Sequence, residues 1–130
     1  MEKVFQTDLS PKTGNCHQAC LASLLDMKLD DVPHFMVMEN FHRKETEWLI
    51  KKGFVYVGAY IPDFFPNDYE FEGIEGYFIA GGPTDRGTQH SVIVDKKLNL
   101  IHDPNPNGNG LTEIECVYLI EKPKYYLTEP

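Results

Sequence analysis

The chain is poor in three things, and each scarcity excludes a class of protein. It has only three cysteines in 130 residues, Cys16, Cys20 and Cys116. That number is too small and odd for a disulfide framework, so a small secreted scaffold stapled by cross-links is not expected. It has no apolar run approaching the roughly 20 residues that span a bilayer, and Met1 to Thr7 is too short and mixed for a secretory leader. It is also short of basic charge: 12 Lys and Arg stand against 20 Asp and Glu, a formal net charge of -8. Nucleic-acid backbones and anionic membrane surfaces both require a basic face, so neither is expected as a partner. The same balance suits solubility and tolerates a cationic substrate. A reducing cytoplasm is the expected compartment, that of a bacterium or of a host cell if the chain is phage-encoded.

What is present is globular material. Hydrophobic residues make up 42% and charged residues 25%, ordinary proportions for a folded chain, and 130 residues suffice for one domain with a core of its own. There is no internal repeat, low-complexity tract or dividing linker, so residues 1–130 are read as a single domain. Met1 to Thr13 reads as an extended lead-in with Val4 and Phe5 as anchors. From Cys16 to Met27 the spacing predicts a helix: Cys20, Leu24 and Met27 share a face, and Ala19, Ala22 and Ser23 are small enough to let it lie close to a sheet. Thr13 and Asn15 are candidate caps. Leu29 to Pro33 reads as a short helical turn or a tight connection, and a second helix is expected from about Glu39 to Lys52, stopped by Gly53.

Beyond Gly53 the pattern changes to strands, at Phe54 to Tyr60, Gly76 to Ala80, Ser91 to Asp95, Leu100 to Asp103 and Cys116 to Glu121. Turn-rich stretches, Gly81 to Gly87 and Pro104 to Gly110, separate some of them. Helices first and strands later point to α+β with a C-terminal antiparallel sheet, rather than to alternating βαβ units.

Two local features carry chemistry. Gly14-Asn15-Cys16-His17-Gln18-Ala19-Cys20-Leu21-Ala22 places Cys16 in the first turn of the first helix. There the positive end of the helix dipole and free backbone N–H groups favour thiolate. The same N–H groups can receive the oxyanion that forms when a thiolate attacks a carbonyl. The second feature is Gln89-His90-Ser91-Val92-Ile93-Val94-Asp95 followed by Leu100-Ile101-His102-Asp103-Pro104. If the strands pair through a turn at Lys96-Lys97, Val92 faces Ile101, Ile93 faces Leu100 and His90 faces Asp103. Directly opposed residues have Cβ atoms about 4.5–5.5 Å apart, close enough for an imidazole–carboxylate bond. Lys-Lys is not a favoured two-residue turn, and a wider loop shifts this register by two.

A cysteine opening a central helix, a histidine opening a later strand and an acid on the next strand is an order that resembles the papain-like cysteine peptidases. Locally the chain is most similar to the bacteriocin-processing (double-glycine) peptidases, through Cys16, Ala19, Cys20, Leu21 and Ala22, then His90, then Asp103 within His102-Asp103-Pro104. It also resembles small bacterial and phage proteins with a Gly-Asn-Cys helix and a His-Asp-Pro-x-Pro-x-Gly segment. The resemblance implies a papain-like fold and a thiol enzyme with Cys16 as nucleophile, His90 as base, Asp103 as the acid orienting it and Gln6 as side-chain donor to the oxyanion. It also implies a peptide or other amide-containing substrate, with a host protein as an alternative partner. In this chain His17 stands where a glycine often follows the nucleophile.

Asn15 and Gln89, which flank Cys16 and His90, together with Gly81 and Gly82 in the glycine-rich stretch, are the expected substrate-binding residues. Cys20, Cys116 and His102 are expected to be structural. Phe64-Phe65-Pro66 could line a cleft, and Asp63, Asp68, Glu70, Glu72 and Glu75 form an acidic stretch that reads either as a solvated face or as a rim selecting cations. Zinc on Cys16, His17 and Cys20, with His102 or Cys116, lacks both the knuckle geometry and a second ligand pair. No metal and no cofactor is expected. The rival to a thiol enzyme is a binding module on the same scaffold that holds a ligand or partner without turnover.

Overall fold

The computed structural model describes residues 1–64 and 71–123. Of the aromatic and acidic stretch singled out above, Phe65, Pro66, Asp68, Glu70 and the side chain of Phe64 lie outside the described residues. Two helices come first, α1 (Cys16–Leu24) and α2 (Phe41–Lys51), with short 3₁₀ turns at Leu29–Asp31 and Phe35–Val37 between them. Five strands follow: β1 (Val55–Tyr60), β2 (Tyr77–Pro83), β3 (Gln89–Asp95), β4 (Leu100–His102) and β5 (Cys116–Glu121). They form one antiparallel sheet in the order β1-β5-β2-β3-β4. The expected α+β grouping is therefore present.

Alternation along the strands sorts the apolar side chains onto two faces. Ile79, Ile93 and Ile120 pack with Cys20, Leu21, Leu24, Val32, Phe35 and Leu49 on the helical side. Phe78, Ala80, Val92, Val94, Val117 and Leu119 form a second buried cluster, with Tyr60, Phe71, Leu98, Leu111 and Ile114 packed against it. Ala19, Cys20, Leu21 and Ala22 are fully buried, so the small residues of α1 do bring its backbone close to the sheet. Among the described residues, no helix is long and apolar enough to cross a membrane.

Three expectations are corrected. The first helix ends at Leu24 rather than Met27, because Asp26 takes a left-handed conformation (φ 54) and Met27 N–H bonds back to Ala22 O. That pattern closes a helix, usually with glycine at the turning position. Second, Gly81 and Gly82 do not belong to a loop. β2 runs through Pro83, with Gly81 opposite Ser91 and Gly82 opposite His90, and only residues beyond Pro83 turn. Glycine is needed there because a Cβ on Gly82 would collide with the carbonyl of Glu113. Third, the β3–β4 connection is wider than two residues. Asp95 N–H bonds to Asn99 O, Leu98 adopts φ 65, and Ile93 pairs with His102 rather than Leu100. The register is thus displaced by one residue at Val94, which pairs with Leu100, and by two at Ile93, across an irregularity between them, as the unfavourable Lys-Lys turn allows.

The lead-in is threaded between α1 and β4. Val4 N–H donates to Ser23 Oγ (2.9 Å), His102 Nε2–H donates to Val4 O (2.7 Å), and Gln6 N–H bonds to Pro104 O (2.9 Å). His102 is accordingly structural. Val4 packs against the core, whereas Phe5 stays 45% exposed and touches the edge of the His102 ring.

Candidate active site

Cys16 is the first residue of α1 and His90 the second of β3, and the packing of α1 on β3 brings them together. His90 Nε2 lies 2.7 Å from Asp103 Oδ1, with both side chains about 95% shielded from solvent. The displacement of the register does not break this pair, because Asp103 lies just past the end of β4, where the chain leaves the sheet. With Nε2 engaged by Asp103, Nδ1 is the ring nitrogen left for the hydrogen bond between His90 and Cys16.

The loop after β4 is built around the carboxylate. Asn105 N–H donates to Asp103 Oδ1 (2.9 Å) and Gly110 N–H to Oδ2 (2.8 Å). Gly108 approaches so closely that a Cβ there would strike Oδ2. Burial raises the Asp103 pKa, but the bonds from His90, Asn105 and Gly110 outweigh it and the net direction is down. Burial opposes charge on His90 too, yet its bonds to Asp103 and Cys16 push it up to about 9. For Cys16, burial raises the pKa while the His90 hydrogen bond, the His90 charge, the Ser91 backbone and His17 lower it, with a net downward result. These directions favour charge on both the thiol and the imidazole, as a thiolate–imidazolium pair held by a carboxylate requires.

Cys16 and His90 form a wall common to two cavities. One, of about 150 Å³, includes Gln6, Ser10, Gln89 and Asn105; the other, of about 360 Å³, includes Gly81, Gly82, Gln89, Cys116 and Tyr118. A larger cavity of about 420 Å³ lies at the far end of α1, beside Asp26, Glu72 and Glu75. Among the described residues it is lined by carboxylates and Lys122 but by no cysteine or histidine.

Gln89, Gly81 and Gly82 therefore line the space next to the thiol. Asn15 does not: its Oδ1 accepts from Thr7 and Asp8 N–H (3.0 and 2.9 Å), and its Nδ2 donates to Thr7 Oγ1 and Gln18 Oε1. Asn15 occupies the N-cap position without a side-chain cap bond. Its role is to shape the lead-in, which leaves the first-turn N–H groups unclaimed by it. Thr13 is not a cap either, since its hydroxyl donates to Asp8 Oδ2. Gln6 is buried beside Cys16, but its Nε2 donates to Asp8 O (2.9 Å) and its Oε1 is buried without a partner. One of the two amide protons is thus already engaged.

Cys20 is core, and burial raises its pKa well above the ordinary value. Cys116 departs from expectation. It is half-buried, opens β5 and lines the larger cavity, because Gly81 opposite it has no side chain to cover it. All three thiols are free. Among the described residues, no three His, Cys, Asp or Glu side chains converge as metal ligands.

A second histidine–carboxylate pair was missed by sequence reasoning. His17 Nε2 lies 2.7 Å from Glu45 Oε2, both nearly inaccessible to solvent. The signal was present: Phe41, Glu45 and Leu49 recur at the i, i+4 spacing of one helical face, which places an acid on the stripe that also carries a core leucine. Comparison of the chain with protein-family models, with curated proteins and with solved structures returns no match.

Proposed function

We propose that this chain is a papain-like cysteine hydrolase or acyl-transferase acting on a peptide, isopeptide or other amide bond. The observation that carries the reading is the chain of contacts from Asp103 through both nitrogens of His90 to a thiol at the start of a buried helix. The Cys16 thiolate attacks the carbonyl carbon, and a C–S bond forms as the carbonyl electrons move onto oxygen. That oxygen is received by the N–H of Cys16 and by the second Nε2 proton of Gln6. His90, protonated and steadied by Asp103, gives its proton to the departing nitrogen. Water or an amine then resolves the thioester with His90 acting as base, returning the thiolate.

The engagement of Gln6 by Asp8 O favours a second reading, in which the same scaffold binds an amide-containing ligand or a host protein without turnover. The two part on one experiment. The native protein is incubated with peptide-amide pools, quenched in acid and analysed by intact mass. An acyl adduct confined to Cys16 and absent from Cys16→Ala is expected. Peptides that bind Cys16→Ala and native protein equally well, with neither adduct nor cleavage in the native protein, would establish the binding module instead.

A further inference from the structure

Next to the catalytic cleft is a cavity of about 220 Å³, walled by Phe41, Tyr56 and Tyr118 and floored by His17 and Glu45. It shares His17, Met36, Ser91 and Tyr118 with the 360 Å³ cavity beside Cys16, so the two adjoin. Glu45 is 95% buried, and His17 engages only Oε2. Among the described residues no donor reaches Oε1. Among the described residues that oxygen is not one of the buried polar atoms left without a partner, so it keeps contact with the space of the cavity, where a ligand donor can reach it. Among the described residues no Lys or Arg lines the cavity, whose own polar groups are His17, His42, Ser91 and the two tyrosine hydroxyls beside Glu45.

We propose that this cavity is the specificity pocket of the enzyme and receives a cationic side chain, lysine or arginine, of a peptide substrate held at Cys16. The inference rests on the thiol-enzyme reading above. Three features select that ligand. Glu45 is the one acid among the described residues lining the pocket, and His17 engages only its Oε2. The walls include a phenylalanine and two tyrosines, aromatic rings of the kind that attract cations. The chain's net charge of -8 draws cationic peptides toward it. Burial opposes charge on His17, but its bond to Glu45 and the Glu45 charge push its pKa up, so a ligand cation enters as His17 gives up its proton, and the neutral imidazole still donates its Nε2–H to Oε2.

The test uses peptidyl acyloxymethyl ketones on the native protein. The thiolate forms a C–S bond at the methylene carbon, and a carboxylate leaves. Paired probes carry lysine or its uncharged counterpart norleucine at each of the two residues before the ketone, and iodoacetamide serves as the probe without a side chain. At one of the positions lysine is expected to label Cys16 faster than norleucine by about tenfold or more, with the ratio falling toward one in Glu45→Gln. If iodoacetamide labels Cys16 selectively but norleucine matches or exceeds lysine at both positions, the pocket assignment is overturned and the enzyme reading stands. A lysine preference that survives intact in Glu45→Gln also overturns it. If Glu45→Gln does not fold, the ratio in the native protein decides alone. Failure of iodoacetamide to select Cys16 removes the thiol-enzyme reading, and the pocket assignment with it.

Discussion

At the scale of the residue, His90 is the centre of the account. It is raised to about 9 by partners on both sides of its ring, against burial that pulls the other way. Replacing Asp103 with Asn removes a negative charge and leaves an amide that no longer steadies an imidazolium. The rate of Cys16 alkylation at pH 6.5 in Asp103→Asn is expected to fall by at least about tenfold, and its midpoint to move toward the free-thiol value of about 8.5. Alkylation kinetics followed by mass spectrometry measure both. An unchanged profile would mean that Asp103 is a turn-former and nothing more. These same residues were the most legible in the sequence, because helix-start cysteine chemistry and the His-Asp-Pro segment are local patterns. Gln6 and Glu45 were less so. Whether Gln6 Nε2 faces a substrate or Asp8 O depends on how the lead-in turns, which no local pattern encodes, and Glu45 stood out only through the helical spacing of its neighbours.

The relevant element is the loop from Asp103 to Gly110, which holds the carboxylate with two backbone N–H groups. Gly108→Ala forces a methyl group into Asp103 Oδ2. Overpacking of this kind costs about 1–3 kcal/mol, and here the displacement falls on the acid itself. The variant is expected to lose stability in urea and also to label more slowly at pH 6.5, whereas a purely structural glycine would change only the first. Strands and helices were readable from periodicity, and their order gave the α+β class. Element ends were not. The stop at Leu24 came from a non-glycine residue in the left-handed region, Asp26, and the passage of β2 through Gly81 and Gly82 came from close approach of the Glu113 carbonyl. Both are tertiary facts. The His90–Asp103 pairing was anticipated from a register that the sheet does not adopt. It forms because Asp103 lies just beyond β4, where the His90 ring reaches it.

For the whole molecule, stability against pH carries a sign that distinguishes an ion pair from two independent groups. His90 is raised from 6.5 to about 9, so its stabilisation is full below 6.5 and is lost as pH rises through about 9. Cys16 is lowered from 9.0, so its stabilisation is full above 9.0 and is lost as pH falls through its folded value. Above the folded value of Cys16 and up to about 9 the two slopes oppose each other: there the folded pair holds its one proton on His90, and the unfolded chain holds its one proton on Cys16. In Cys16→Ala only the His90 slope remains, with Asp103 still bonded to the imidazolium. Urea unfolding followed through Trp48 is expected to show Cys16→Ala losing more stability from pH 6.5 to 9 than the native protein. Parallel curves would mean that the thiol is neutral. The core that carries the site is a separate matter, and Leu49→Ala, fully buried between α2 and the sheet, is expected to cost about 2–5 kcal/mol in the same assay.

The most direct test is alkylation of the native protein by limiting iodoacetamide from pH 4 to 9, with the labelled cysteine located by mass spectrometry. Rapid labelling of Cys16 alone below pH 7, slowed in His90→Ala, is the expected result, since Cys20 is buried and Cys116 has no histidine bonded to it. Slow labelling that rises only near pH 8.5, or equal labelling of Cys116, would contradict an activated thiolate and with it the enzyme.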